Sequence, residues 1–222
     1  MEIKNIKKHF NVPISFRLRE LMRDIKIDSK NKKRLKNTNP TIVSINCNGG
    51  TIAHDLGLRH NSQFVNLWLF SKDFIKYLSN FDYYNSLPLV FIESSEYDYP
   101  VGMVGDIAIH FTHYSTNEEA QIKWDERKIR IDKNNMFIMM TDKCAKEDME
   151  AFDLLPYENK VIFTHMPYND IKSSFYIKGF EQEESVGILS NYISKKSIYK
   201  WYDQFDYVEW FNTGKIRRME TR

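Results

Sequence analysis

The chain has 222 residues, a length that suits one large domain or one domain with a short extension. Its two cysteines, Cys47 and Cys144, are too few for a disulfide framework or a cysteine-based zinc site, so a reducing compartment is expected. The N-terminus lacks the apolar segment of a signal peptide, and no run of about 18 apolar residues occurs. These features predict a cytoplasmic protein without a membrane span.

Charge divides the sequence into two parts. Residues 1–39 carry 12 Lys and Arg against 4 Asp and Glu, whereas residues 40–222 carry 20 against 26. We therefore predict a basic N-terminal helix and linker over residues 1–39, followed by an α/β domain over residues 40–222. The acidic domain argues against an extensive nucleic-acid surface, and no nucleic-acid partner is expected.

The basic segment contains one amphipathic helix, predicted over Ser15–Ile27, and then a basic run without apolar periodicity, Lys30–Asn37, which predicts a linker. The helix has an apolar face and a largely basic opposite face, formed by Leu18, Leu21, Met22 and Ile25 and by Arg17, Arg19, Arg23 and Lys26. Two interpretations stay open. The helix docks on the domain with its basic face in solvent, or residues 1–37 contact anionic lipid headgroups at the inner membrane face.

Strands alternate with helices along the rest of the chain. The predicted strands are Thr41–Asn46, Val65–Phe70, Leu87–Glu93, Asp106–Tyr114, Met136–Thr141, Lys160–His165 and Ser173–Ile177. The predicted helices are Thr51–Leu58, a segment that follows Ser71, Asn117–Ile131 behind a capping box at Thr116, Lys146–Leu154 and Asp203–Asn212. This order predicts an α/β fold, a three-layer α/β/α arrangement around a mixed, partly parallel sheet.

A glycine-rich turn, Asn46-Cys47-Asn48-Gly49-Gly50, follows the first predicted strand. Paired glycines let backbone N–H groups approach a ligand, and the next helix N-terminus favours an anion, so Asn46, Asn48, Gly49 and Gly50 are candidate substrate-binding residues. A helix N-terminus can lower the pKa of a thiol, which makes Cys47 a candidate nucleophile with His54 as its base. A tight turn with an inert cysteine and a capping or core His54 explains the pattern equally well.

Polar side chains also lie at the ends of three later strands, at His113, Asp142 and His165. Ligand sites in open α/β sheets gather at the carboxyl ends of the strands, so we predict catalytic roles for all three. His165 is the preferred general acid or base, because histidine titrates near neutral pH. Lys143 and Arg127 are candidate binding residues for an anionic group.

Other interpretations of these residues stay open. Asp142 also suits an N-terminal helix cap. His110 and His113 point to opposite faces of a strand, which makes them a poor metal pair. The acidic triplet Glu96-Tyr97-Asp98 suits a divalent cation only weakly and is explained as well by a solvated loop. No metal site is predicted.

Several motifs together resemble one bacterial family. They are Asn46-Cys47-x-Gly49-Gly50, His54-Asp55-Leu56-Gly57, Tyr99-Pro100-Val101-Gly102, His110-Phe111-x-His113-Tyr114, Glu119-Ala120 with Trp124 and Arg127, Met140-Thr141-Asp142, Leu155-Pro156-Tyr157-x-Asn159-Lys160 and Tyr202-Asp203-Gln204-Phe205. The chain is similar, from Pro40 to Asn212, to a domain-of-unknown-function family whose members are often labelled exopolysaccharide biosynthesis proteins and sometimes acetyltransferases. The resemblance implies a three-layer α/β/α fold and a place in capsule or exopolysaccharide assembly, but no particular reaction. Asn48 stands where relatives are expected to have an aromatic residue, often Trp.

Two functions follow from these observations. In the first, an acyl- or glycosyltransferase takes a nucleotide-sugar or acyl donor, and Cys47 or His165 activates a hydroxyl of a sugar precursor. This function predicts that Cys47, His54, His113, Asp142 and His165 converge within roughly 10 Å in one cleft. In the second, a non-catalytic accessory protein binds glycan, which predicts scattered polar residues and an exposed aromatic patch.

Overall fold

The strands form two sheets in the computed structural model, which describes residues 14–219. A four-stranded parallel sheet has the order β1 (Thr41–Ser44), β5 (Met136–Thr141), β6 (Lys160–Thr164) and β7 (Ser174–Tyr176). A three-stranded antiparallel sheet consists of β2 (Leu89–Ile92), β3 (Val101–Val104) and β4 (Ile107–His110). Helices lie on both sides, so the predicted α/β class is confirmed, with parallel and antiparallel pairing divided between the two sheets.

Eight α-helices are present in the described part of the chain. They are α1 (Ile14–Arg23), α2 (Ser29–Arg34), α3 (Asn48–Asp55), α4 (Ser71–Ser79), α5 (Phe81–Ser86), α6 (Asn117–Lys128), α7 (Lys146–Asp153) and α8 (Tyr207–Thr213). A π-helical turn, Asp24–Asp28, joins α1 to α2, and short 3-10 turns cover Lys133–Asn135 and Trp201–Gln204. The predicted cap of α6 forms, because the Thr116 hydroxyl accepts a hydrogen bond from the Glu119 N–H at 3.1 Å. No helix within residues 14–219 has the length and apolar character needed to cross a bilayer.

Strand β5 is buried on both faces, which explains its uninterrupted apolar sequence. Met136, Ile138 and Met140 belong to a core that also holds residues of α4, α6, α7 and the antiparallel sheet. Phe137 and Met139 alternate with them and pack in a second core with residues of α3, α8 and the C-terminal segment. The parallel sheet therefore forms the middle layer between the two cores.

Two elements near β1 differ from their predictions. The segment predicted as a strand over Val65–Phe70 is irregular, because Asn66 adopts a left-handed conformation with φ of 62° that interrupts an extended chain. It still joins the sheets, since the Leu69 N–H donates to the Ile45 carbonyl and Trp68 forms an isolated bridge with His110. Helix α3 begins earlier than predicted, where the Asn46 side chain accepts from the Asn48 N–H.

The described part of the basic N-terminal segment, residues 14–39, is docked on the domain. Ser29–Arg34 is helical where the composition predicts a linker, because Asn31 donates to the Tyr207 hydroxyl and Arg34 pairs with Asp206 on the C-terminal segment. The expectation of a solvated basic face is wrong for Arg23, which is fully buried among carboxylates. Its guanidinium lies 2.9 Å from Asp55 Oδ2 and 2.6 Å from Asp203 Oδ2.

Candidate functional site

The carboxyl ends of the parallel strands lie together at one edge of the sheet. Ser44 is in register with Met139, and Thr141 is in register with Phe163. Neighbouring strands are about 4.8 Å apart, so the residues that follow these strands share one surface. Five candidate residues therefore lie along this carboxyl edge, namely Asn46, Cys47, Asp142, Lys143 and His165.

Asp142 and His165 are in direct contact. Asp142 Oδ2 lies 2.5 Å from His165 Nδ1 and accepts the His165 backbone N–H at 2.7 Å. Asp142 Oδ1 accepts the Val186 N–H at 2.8 Å from the loop that follows β7. Both side chains are buried, with Asp142 3% and His165 8% exposed. We refer to them below as the Asp142–His165 pair.

The hydrogen bonds of the pair fix the orientation and tautomer of the imidazole. A carboxylate that accepts two backbone N–H groups matches the ionised, acceptor-only form. The His165 ring then donates from Nδ1 and leaves Nε2 as its basic nitrogen. The turn after β6 adds rigidity, because the Thr164 hydroxyl donates to the Met166 carbonyl at 2.8 Å. This arrangement is suited to general acid–base chemistry at Nε2.

Lys143 and Cys144 follow Asp142 at the same edge. Lys143 is exposed and has no carboxylate within ion-pair distance among residues 14–219, whereas Lys146 pairs with Asp170 and Glu150. Cys144 is half-buried, and burial together with the charges of Asp148 and Asp142 raises the pKa of its thiol to about 12. The lysine is available to an anion, and the cysteine is an inert thiol near neutral pH.

Cys47 forms the N-cap position of α3, but burial raises the pKa of its thiol instead of lowering it. The glycines beside it serve close packing. A Cβ on Gly49 would lie 2.8 Å from side-chain atoms of both Ile42 and Ser44, and the Gly49 N–H faces the Ser44 hydroxyl at 3.3 Å. A Cβ on Gly50 would lie 3.3 Å from Val65. The turn therefore brings α3 against β1, and Asn48, Gly49 and Gly50 are buried.

His54 lies toward the opposite end of the sheet. Seven residues of helix separate it from Cys47, which corresponds to about 10 Å along the axis. The chain beyond α3 reaches the start of β1, where Asn61 donates to Asn39. The exposed His54 ring lies 3.5 Å from Asp55, which itself belongs to the buried charge cluster around Arg23. The structure does not bring His54 into hydrogen-bond contact with Cys47.

Arg127 and His113 make no hydrogen bond to the Asp142–His165 pair in the described part of the chain. Arg127 donates to the Tyr114 hydroxyl at 2.6 Å, and Tyr114 donates to the Val65 carbonyl at 2.9 Å. Burial and the charge of Arg127 lower the pKa of His60, on the segment that follows α3. His113 is exposed in the turn after β4.

His110 lies inside an aromatic cluster formed by Trp68, Phe70, Tyr97 and Tyr99. Its ring stacks on Trp68 at 3.9 Å with an interplanar angle of 9°, and Tyr97 meets it edge-on at 4.9 Å. The His110 side chain is 2% exposed, and neither ring nitrogen has a hydrogen-bond partner among the described residues. Phe70 at the rim is 54% exposed. No motif in the sequence indicates this cluster.

Two other features of the molecule have no clear sequence signal. The Val186 N–H reaches Asp142 from a loop 44 residues downstream, in a segment without periodic pattern. The buried charge cluster joins Arg23, Asp28, Asp55, Lys200, Tyr202 and Asp203. Burial opposes ionisation of Asp55, but the Tyr202 hydrogen bond and the charges of Lys200 and Arg23 hold its pKa below the usual value. The motifs that resemble the family contain Asp55, Tyr202 and Asp203, and this is the one sequence feature that points to the charge cluster.

No group of three or more His, Cys, Asp or Glu side chains within residues 14–219 has the geometry to hold a metal ion. Glu96 and Asp98 are exposed in the loop between β2 and β3.

Comparison with known proteins places the chain in a family. The chain is 48% identical over 183 residues to a protein of Haemophilus influenzae that is described as an uncharacterized protein, and the match covers 82% of this chain and 88% of that relative. The sequence model of a family described as Domain of unknown function (DUF1919) matches residues 18–212, which include the second half of α1, both sheets and the Asp142–His165 pair. On this match the chain belongs to the DUF1919 family.

Proposed function

We propose that the chain transfers a glycosyl or acyl group to a hydroxyl of a saccharide during assembly of a bacterial surface polysaccharide, with His165 as general base. The observation that carries the reaction type is the Asp142–His165 pair at the carboxyl edge of the parallel sheet. The polysaccharide context rests on the resemblance described above. The cytoplasm, where activated donors are made, is the proposed location.

The proposed chemistry is deprotonation of a nucleophile. His165 Nε2 takes the proton of the acceptor hydroxyl as its oxygen forms a bond to the anomeric carbon or to the acyl carbon of the donor. The bond from that carbon to a nucleoside diphosphate or a thiol carrier breaks, and the leaving group departs with the electron pair. Asp142 stabilises the imidazolium that results, and the proton then passes to the leaving group or to solvent.

Lys143 supplies the positive charge that an anionic leaving group needs. It follows Asp142 directly and is exposed without a carboxylate partner in the described chain. Donors of both classes carry phosphate groups, which lysine binds as a point charge. Cys47 has no role as nucleophile here, because burial raises the pKa of its thiol.

The aromatic cluster around His110 supports a saccharide as the acceptor. It is joined to the carboxyl edge, because the Leu69 N–H donates to Ile45 and Ser71 donates to Asp148 in the first turn of α7. From the segment that holds Trp68 and Phe70, the sheet continues through β1 and β5 to β6, which is three strand-to-strand spacings. At about 4.8 Å each, these spacings give a span of about 15 Å, which suits an extended ligand. Aromatic faces such as that of Phe70 pack well on the apolar faces of sugar rings.

A donor-consumption assay tests the transfer reaction. The purified chain is incubated with UDP-glucose, UDP-N-acetylglucosamine or acetyl-CoA and with polysaccharide from its source bacterium, and release of UDP or free CoA is followed. We expect His165→Ala to reduce the rate of the productive pair about 100- to 10,000-fold. His60→Ala, a histidine change near the opposite edge, should retain the rate. Unchanged release by folded His165→Ala protein would refute the assignment.

A non-catalytic glycan-binding protein is the second candidate, and the exposure of Phe70 favours it. In that case Phe70→Ala weakens binding of the polysaccharide, His165→Ala leaves it unchanged, and no donor is consumed. The two functions are therefore distinguished by the same set of proteins.

A further inference from the structure

Helix α1 and the π-helical turn that follows it present apolar side chains to solvent, whereas Arg19, Glu20 and Arg23 face the protein. Leu18 and Leu21 are each 55% exposed and Ile25 is 60% exposed, and Met22 lies between them. Arg23, on the other face, is fully buried. A helix on a globular domain normally has the reverse arrangement, with its apolar stripe against the core. The exposed stripe of Leu18, Leu21, Met22 and Ile25 is called the α1 stripe below.

The orientation of α1 is fixed by contacts on its inner face. Arg23 pairs with the carboxylates of Asp55 and Asp203, and the Tyr192 hydroxyl donates to Glu20. The Arg19 guanidinium lies 3.8 Å from the centre of the Tyr192 ring. Rotating the α1 stripe inward would withdraw Arg23 from the buried carboxylates of Asp55 and Asp203, which is strongly unfavourable. The exposure of the stripe is therefore a property of the folded domain.

Positive charge surrounds the α1 stripe. Lys26 and Lys30 are exposed on the same helical segment, and Lys195 and Lys196 are exposed on the loop that carries Tyr192. Arg19 brings that loop beside α1, because its guanidinium donates to the Lys195 carbonyl at 3.2 Å. The nearby carboxylates are engaged, since Glu20 binds Tyr192 and Asp24 pairs with Lys32.

We propose that the α1 stripe inserts into the headgroup region of an anionic lipid bilayer, with the surrounding lysines on the lipid phosphates. An apolar stripe bordered by lysines is the arrangement of an interfacial amphipathic helix. Charge complementarity selects this occupant, because a second copy of the chain would place lysines against lysines. Residues 1–13 have the same sign of charge, with Lys4, Lys7 and Lys8 against Glu2. This inference is independent of the transfer reaction.

Vesicle sedimentation of the full chain tests the proposal. Vesicles of phosphatidylglycerol and phosphatidylcholine in equal parts should bind it, and vesicles of phosphatidylcholine alone should bind it at least tenfold more weakly. The double variant Leu21→Glu/Ile25→Glu should lose at least tenfold in affinity for the anionic vesicles. The matched variant is Ile129→Glu/Leu154→Glu, at positions 86% and 85% exposed after the ends of α6 and α7. It should bind as the parent does. Lys195→Gln/Lys196→Gln should lose about fivefold per lysine.

A probe experiment assigns the contact to α1. A nitrobenzoxadiazole label on Leu21→Cys should brighten with anionic vesicles, and a label on Ile129→Cys should not. Sedimentation with vesicles but no brightening of the label at position 21 would place the contact elsewhere and overturn the proposal. Binding of anionic vesicles by Leu21→Glu/Ile25→Glu that equals binding by the parent would also overturn it. A parent dimer that this double variant converts to a monomer would show that a second copy covers the stripe, and would also overturn it.

Discussion

Asp142 Oδ2 is bound twice by one residue, through the His165 backbone N–H at 2.7 Å and through Nδ1 of its ring at 2.5 Å. The two residues follow neighbouring strands whose register is fixed at Thr141 and Phe163. The carboxylate therefore orients the imidazole from a rigid frame, and the Val186 N–H ties the loop after β7 to the same group. Side chains held in this way on strand ends give a more precise site than side chains on free loops.

The first prediction concerns the tautomer of His165. In the parent protein the neutral ring should carry its proton on Nδ1, because that nitrogen faces a carboxylate that accepts two backbone N–H groups. Asp142→Asn replaces one acceptor oxygen by a donor and should shift the ring toward the Nε2–H tautomer. The ¹⁵N shifts of the ring nitrogens report the change. Asp125→Asn, at an exposed position of α6, is the control. Unchanged ¹⁵N shifts of the His165 ring in Asp142→Asn would contradict the interpretation.

The second prediction concerns the two thiols. Burial raises the pKa of Cys47, and burial with nearby carboxylates raises that of Cys144 to about 12. The thiolate is the reactive species, so both cysteines should react with iodoacetamide more slowly than free cysteine at pH values near neutral. Mass spectrometry of the alkylated peptides measures the two rates separately. Rapid alkylation of Cys47 in the folded protein would restore it as a candidate nucleophile.

The fold class can be predicted well from the sequence, because strands and helices are indicated by patterns within short stretches of the chain. The continuous apolar run of β5 and the Thr116 cap of α6 appear where predicted. Asp142 and His165 were both identified as candidates at strand ends, since the carboxyl-edge rule depends only on strand order. Their direct hydrogen bond was outside the reach of the sequence, because it depends on the register of β5 against β6.

Long-range charge pairing explains what the sequence could not predict. Arg23 looks like one more surface cation on an amphipathic helix, but its partners Asp55 and Asp203 are 32 and 180 residues away. No periodic pattern connects these positions. The role of Gly49 could not be predicted from the sequence either. A glycine that lets a helix approach a strand looks the same in a sequence as one that lets a ligand approach the backbone.

The third prediction separates packing from ligand binding at the glycine turn. Gly49→Ala should lower the free energy of unfolding by about 1–3 kcal/mol, because the new methyl group overpacks against Ile42 and Ser44 at 2.8 Å. Gly50→Ala meets Val65 at 3.3 Å and should cost less than about 1 kcal/mol, since alanine also favours helix. Urea unfolding measures both. Equal costs at the two positions would contradict the packing interpretation.

The fourth prediction is a pH dependence of stability at Asp28, in the buried charge cluster. The cluster holds the carboxylates of Asp28, Asp55 and Asp203 against the cations of Arg23 and Lys200, and Asp28 Oδ1 lies 3.3 Å from Arg23. Burial, with the neighbouring charge of Asp55, raises the pKa of Asp28 to about 6 although Arg23 opposes the rise. The folded state therefore binds more protons than the unfolded state between about pH 4 and pH 6. The contribution of Asp28 to stability must fall as the pH rises through that window.

Asp28→Asn removes this titration, because the amide resembles the protonated acid. The free energy of unfolding of the variant should equal that of the parent near pH 4. At pH 7 it should be higher than that of the parent by an amount on the order of 2 kcal/mol. Urea unfolding at several pH values across the window measures the difference. Asp24→Asn is the matched control, since Asp24 lies on the same π-helical turn but is exposed and pairs with Lys32. An advantage of Asp28→Asn that stays constant with pH would show that the carboxyl of Asp28 is already ionised at the acid end, and that its partners in the cluster hold the proton instead.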